Sequence, residues 1–140
     1  MAGNLTNYGE EYNVKNAMTG SFTVMLYNNA TDAASDTTDL ANITTEPTAG
    51  SYTRQTATFV ANSSGGNWQT ENSSGIPFDV TGTNDSVDAY AIVANFVSTE
   101  AGDSTATDHI IATGFLSKTR DLSQNDTFTL NAGSVGVSFD

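Results

Sequence analysis

The sequence predicts an all-β fold: a single antiparallel β-sandwich, of jelly-roll or immunoglobulin-like type, preceded by a short N-terminal helix or arm. Three observations carry this. Beyond residue 20, apolar residues recur with period two in seven or eight short stretches. Clusters of Gly, Asn, Asp and Ser punctuate those stretches at intervals of about ten residues, the spacing of sandwich strands. Only the opening residues space their apolar side chains as a helix would. A chain of 140 residues is enough for one domain with a real core. The expected division is therefore an arm or helix over residues 1–20 and a sandwich over 21–140.

The helix is expected from Leu5 to Met18, with Thr6 or Asn7 as its cap, Glu10 or Glu11 in its first turn and Thr19-Gly20 as its end. Phe22, Val24 and Leu26 then alternate with Thr23, Met25 and Tyr27, which describes a strand apolar on both faces and covered on both. Asn28 to Gly50 is a long polar excursion, with a short helical turn around Asp39 to Ile43; loops of this length usually serve a purpose, and reaching for a neighbour is a common one. Ser51 to Ala61 alternates cleanly and reads as a strand with one solvated face. Asn62 to Gly66 is a turn, Trp68 sits in a short strand, and Ile76 to Val80 makes another that Pro77 pushes toward an edge. Val87–Val97 and His109–Leu116 are nearly continuous apolar runs joined by the polar loop Ser98 to Asp108, so they should be central antiparallel neighbours. Thr127–Leu130 and Val135–Phe139 flank Asn131-Ala132-Gly133-Ser134, the chemistry of a hairpin turn.

Charge narrows the function. Sixteen acidic residues face four basic ones, for a formal charge of -12. At a Debye length of about 8 Å such a coat repels itself, whereas in molar salt the length falls to about 3 Å and the repulsion fades. The near absence of Lys and the abundance of Thr, Ser and Asn fit life in brine. Lys15, Arg54, Lys118 and Arg120 are scattered singly, so no basic footprint for nucleic acid exists. No stretch approaches the roughly 20 apolar residues of a membrane span, and the amino terminus lacks a signal-peptide layout. A soluble chain made in the cytoplasm is expected. Without cysteine, stability must come from burial, backbone pairing and assembly.

Little in the sequence carries chemistry. His109 beside Asp108 could be imagined in a hydrolase triad, yet no Gly-x-Ser-x-Gly elbow presents a nucleophile, and a lone His at a strand entrance is usually structural. Carboxylate pairs for glycoside hydrolysis mean nothing where acids are so abundant, and these lie in polar company. Asp32, Asp36 and Asp39, or Asp121 with Asp126, could supply oxygen ligands to calcium, but no calcium-loop pattern accompanies them and a solvated acidic face is the default. Gly65-Gly66 lacks the lysine and helix of a phosphate cradle. Asn-x-Ser/Thr triplets begin at Asn4, Asn29, Asn42, Asn62, Asn72, Asn84 and Asn125, as chance allows in such a composition. The expectation is no catalytic residue, no cofactor and no metal.

Several segments resemble a family of small virion proteins of tailed viruses of bacteria and haloarchaea. They are Leu5-Thr6-Asn7-Tyr8-Gly9-Glu10-Glu11-Tyr12, Gly50-Ser51-Tyr52-Thr53-Arg54-Gln55-Thr56-Ala57-Thr58-Phe59, Val87-Asp88-Ala89-Tyr90, Asp121-Leu122-Ser123-Gln124-Asn125-Asp126-Thr127 and Asn131-Ala132-Gly133. Many bacterial members carry Ala where this chain has Thr53, and the loop Ser98 to Asp108 is an addition. The resemblance implies a capsid or tail accessory protein without catalytic residues. The expected role is a capsid decoration protein on the virion surface of a haloarchaeal tailed virus. Its partners would be the major capsid protein and copies of itself, in a trimer or other small oligomer. A tail or fibre subunit, or a carbohydrate-binding module, is the alternative. Tyr8, Tyr12, Tyr52 and Trp68 are the candidate anchors, with core packing as the competing role for each. Arg54 would pair with an acid, either of a neighbour or of the same chain.

Overall fold

The computed structural model describes residues 6–138. The fold is all-β and sandwich-like, mostly antiparallel, with a short N-terminal helix. The elements are α1 (Asn7–Ala17), β1 (Gly20–Tyr27), β2 (Gln55–Ser64), β3 (Asn67–Asn72), β4 (Ile76–Asp79), β5 (Ser86–Phe96), β6 (Thr107–Asp121), β7 (Thr127–Leu130) and β8 (Gly136–Ser138). The chain divides into two compact units. One holds Met1–Phe22, Thr56–Ile76 and Thr129–Asp140; the other holds Thr23–Gln55 and Pro77–Phe128.

In the first unit, Thr6 caps α1 by accepting the Gly9 N–H at 3.3 Å. Val14 is fully buried, whereas Tyr8 and Tyr12, one turn apart, are 85% and 68% exposed. The helix therefore presents one apolar position inward and its aromatic pair outward. Its end is tied to β3 by the Thr70 hydroxyl, which donates to the Met18 carbonyl at 2.8 Å. β2 and β3 form a hairpin in register from Phe59↔Asn72 to Ser64↔Asn67. Gly65 and Gly66 turn it with φ of +61° and +89°, the double positive φ that a two-residue turn of this hand requires.

The expected hairpin between the last two strands does not form. β8 pairs with β3, Glu71 opposite Gly136, and β7 pairs with β4. Asn72 supplies the reason. It is buried, accepts the Val135 N–H at 2.9 Å, and donates to the carbonyls of Asn131 at 2.9 Å and Ser74 at 2.8 Å. One side chain thus draws the 131–135 turn across the end of β3, and local turn chemistry yields to it.

In the second unit β5 lies between β1 and β6, so the expected antiparallel pairing of β5 with β6 forms, but β6 is the edge strand of the sheet and not a central one, and most of its side chains are exposed or half-exposed. Thr23–Tyr27 pair with Val93–Ala89, and Ser86–Phe96 pair with Asp121–Thr107. Val24 to Tyr27 are all buried, so β1 is covered on both faces here. Met25, Tyr27, Ala89, Ala91 and Val93 form a core cluster on which Ala34, Leu40, Ile43 and Ile110 pack. β6 runs further than its apolar stretch suggests because it carries a large bulge: Val87 faces Arg120 and Ala89 faces Phe115, leaving Leu116 to Thr119 opposite Asp88 alone.

The 28–54 segment is irregular, with the expected short turn realised as a 3-10 turn at Leu40–Asn42. Its order comes from carboxylates. Asp32 accepts the N–H and hydroxyl of both Thr44 and Thr45 at 2.6–2.9 Å, and Asp88 of β5 accepts the N–H groups of Asn29 and Ala30. This excursion is stitched onto its own unit and does not extend as an arm. β2 begins at Gln55 where Ser51 was expected, because the residues before it are engaged elsewhere.

Candidate functional site

Tyr52 and Arg54, expected on one face of a strand over Ser51 to Ala61, lie before β2 and meet around Glu46. Arg54 makes a two-pronged bond to that carboxylate, Nε to Oε1 at 2.8 Å and Nη2 to Oε2 at 2.7 Å. The Tyr52 hydroxyl donates to Glu46 Oε1 at 3.2 Å and accepts the Leu26 N–H at 2.9 Å. Its ring stacks on Phe78 with centroids 5.9 Å apart. Burial pushes the Tyr52 hydroxyl well above the usual tyrosine range, so it remains a donor. The bond to Glu46 likewise raises Arg54. Arg54 therefore finds its acid within the chain, and Tyr52 serves as a strut between the 44–54 segment and β1.

Trp68 lies half-buried on β3, its ring covered by Lys15 Nζ of α1 at 4.8 Å from the centroid; Lys15 also pairs with Glu11. Of the four candidate anchors, Tyr52 and Trp68 are half-buried, whereas Tyr8 and Tyr12 are the exposed ones, and they lie together. Their unit is also the charge-poor one. Of the 16 acids, only Glu10, Glu11, Glu71 and Asp140 fall in it, and the rest lie in the second unit.

His109 does not pair with Asp108, which accepts from Asn95 Nδ2 at 2.7 Å. Its Nδ1 faces Asp39 Oδ2 and its Nε2 faces Asp103 Oδ2, each at 2.6 Å, and the Thr107 hydroxyl is 2.9 Å from Nε2. A triad base needs one nitrogen on an orienting acid and the other on a nucleophile. Here a carboxylate faces each nitrogen, so neither is free to take a nucleophile's proton, and the pair of acids favours the doubly protonated ring. The bonds to Asp39 and then Asp103 raise its pKa above the ordinary value.

Comparison with protein-family models, curated proteins and solved structures finds no match.

Among the described residues no group of three His, Asp or Glu side chains converges to hold a metal. The suggested cation ligands are otherwise engaged: Asp32 by Thr44 and Thr45, Asp39 by His109, Leu40 and Ile110, and Asp121 by Ser123. Among the described residues no helix is long and apolar enough to cross a membrane. The Asn triplets also sort themselves. Asn4 lies outside the described residues, the side chains of Asn29, Asn42 and Asn72 hold turns together, and Asn62, Asn84 and Asn125 are exposed. Sequence reasoning missed Glu46 and Asp103. Only the oddity of an isolated Arg and an isolated His in so acidic a chain pointed to such partners.

Proposed function

We propose that this chain is a virion structural protein of a haloarchaeal tailed virus, and that it decorates the capsid by seating its charge-poor unit on the major capsid lattice. The observation that carries the reading is the exposed Tyr8–Tyr12 pair on α1, in the unit that holds few of the acids. Aromatic side chains supply large contact area at low entropic cost, and an interface core tolerates them far better than it tolerates charge. Acidic residues left outside the contact would be bathed in brine, where screening makes their charge tolerable. The sequence resemblance to small virion proteins supports the same role, and copies of the chain would meet in a trimer or other small oligomer around each lattice position.

Binding to capsid shells that lack the protein tests this. Wild-type chain should co-sediment with shells in molar salt. Tyr8→Ser/Tyr12→Ser, with an unchanged β-rich spectrum and unchanged melting temperature, should lose at least about tenfold in affinity, the equivalent of roughly 1.4 kcal/mol. Full retention by the double variant would overturn the assigned surface. Failure of the wild type to bind any shell, together with specific glycan binding on an array, would favour the carbohydrate-binding alternative.

A further inference from the structure

The 98–106 loop between β5 and β6 is fastened at its far end by one histidine. Within the loop, Asp103 N–H donates to the Ser98 carbonyl at 2.9 Å and Gly102 N–H to the Thr99 carbonyl at 3.1 Å. Asp103 Oδ2 accepts the Ser98 N–H at 3.2 Å and the Thr107 hydroxyl at 3.0 Å. The bonds to Ser98 and Thr99 close the loop on itself; Asp103 is linked to β6 by the neutral Thr107 hydroxyl and by the charged His109 Nε2, which meet the same oxygen. Asp39 is held quite differently. Besides facing His109 Nδ1, it accepts the Ile110 N–H of β6 at 2.9 Å and the Leu40 N–H at 2.8 Å. The histidine side chain is 10% exposed, and the Phe96 ring lies 5.1 Å from it.

The surroundings are one-sided. An open cleft of about 340 Å³ adjoins the ring, lined by Asp36, Asp39, Glu100, Phe96 and His109 among others. Asp108 follows on β6 immediately before the histidine. Among the described residues no Lys or Arg lines the cleft, so within it the imidazolium faces these carboxylates alone, while Arg54 acts on Asp108 from outside. A neutral imidazole keeps a single N–H. That proton belongs on Nδ1, where Asp39 is pinned by two backbone amides. The Nε2 lone pair would then oppose the Asp103 carboxylate across a hydrogen-bond distance.

We propose that His109 is a proton-operated clasp for the 98–106 loop. Protonated on both nitrogens it holds Asp39 and Asp103 together; loss of the Nε2 proton frees Asp103 and lets the loop leave β6, while the 39–43 turn stays in place. Phe96 and Val97, already 42% and 55% exposed, then become accessible from the loop side. Release belongs at a pH above the ordinary histidine value, because the flanking carboxylates favour the charged ring. The inference stands apart from the virion role and holds or falls without it.

The test uses the intact chain in molar salt. The His109 ring is titrated by NMR while amide hydrogen exchange is followed, corrected for the intrinsic effect of hydroxide. As the ring loses its proton above the ordinary histidine value, exchange at Gly102 and Asp103 should accelerate by about tenfold or more, while Ile110 and Leu40 keep their protection. In Asp103→Asn the loop amides should exchange fast already at neutral pH and ignore the ring's titration. Protected loop amides throughout the wild-type titration would overturn the proposal. So would simultaneous opening of Ile110, unfolding of the whole chain before the ring titrates, or a titration at or below the ordinary value.

Discussion

Tyr52→Phe removes one oxygen and leaves the ring, so it isolates the hydroxyl's contribution. The hydroxyl accepts the N–H of Leu26, a residue with no exposed surface, at 2.9 Å. Phenylalanine retains the stacking on Phe78 and opens at most a hydroxyl-sized gap. Glu46 keeps both bonds from Arg54, so no carboxylate is orphaned. The Leu26 donor is. Leaving a buried amide without an acceptor costs about 1–3 kcal/mol, and the middle of that range, about 2 kcal/mol, is the expected loss. For a chain of this size that is a fall in melting temperature of roughly 6 °C. The assay is denaturant unfolding in molar salt, with Tyr8→Phe as the control. The same oxygen is removed there from a residue that is 85% exposed, and the change should stay within about 0.5 kcal/mol. If Tyr52→Phe is as silent as Tyr8→Phe, with equal denaturant slopes, the strut between the 44–54 segment and β1 is not load-carrying and the reasoning fails.

Gly50 has φ of +72°, and a Cβ there would sit 2.6–2.7 Å from backbone atoms of Gly82 and Thr83. Gly50→Ala should therefore cost about 3 kcal/mol in the same unfolding assay, from conformation and collision together. Acid should loosen the second unit. The Thr45 hydroxyl and the neighbouring Thr amides hold Asp32 below its ordinary value, and His109 does the same for Asp103. At Asp39 burial works the other way and is outweighed by the Ile110 amide and His109. A carboxyl with a depressed folded-state pKa contributes fully above its unfolded value of 3.8, and the contribution fades as pH falls through the folded value. Stability measured below pH 4 should drop, and drop less in Asp32→Asn. Finally, raising salt from about 0.1 M to 1 M shortens the screening length from about 10 Å to 3 Å and should raise the melting temperature, the reverse of what salt does to a fold held mainly by ion pairs.

The strands were legible wherever burial on one or both faces imprinted a period on the sequence. Val24 to Tyr27 and Ala89 to Val93 are buried without interruption, as their apolar runs predict, but their pairing with each other is not written in those runs, which point only to the β5–β6 pair. The turn after β2 is legible as well, although β2 continues to Ser64 and only Gly65 and Gly66 turn where Asn62 to Gly66 is expected to. What local pattern could not reveal was decided by single polar side chains reaching out of turns and loops. Asn72 turns a plausible last hairpin into a β3–β8 pairing. Glu46, eight residues before Arg54 in the polar excursion, holds Tyr52 and Arg54 outside β2. Asp103 and Asp39 meet at His109 from loops that alternation says nothing about. The same holds for the candidate site: five residues stood out by type, and only the fold separates exposed Tyr8 and Tyr12 from Trp68, covered by Lys15 of α1, and from Tyr52 and Arg54, bonded to Glu46.

Imaging of purified particles, with the chain located and its copies counted, tests the virion role most directly. The decoration reading predicts density over the head lattice at many equivalent positions, with α1 against the shell. A handful of copies at the tail would reassign the protein within the particle. Its absence from particles altogether would contradict the account.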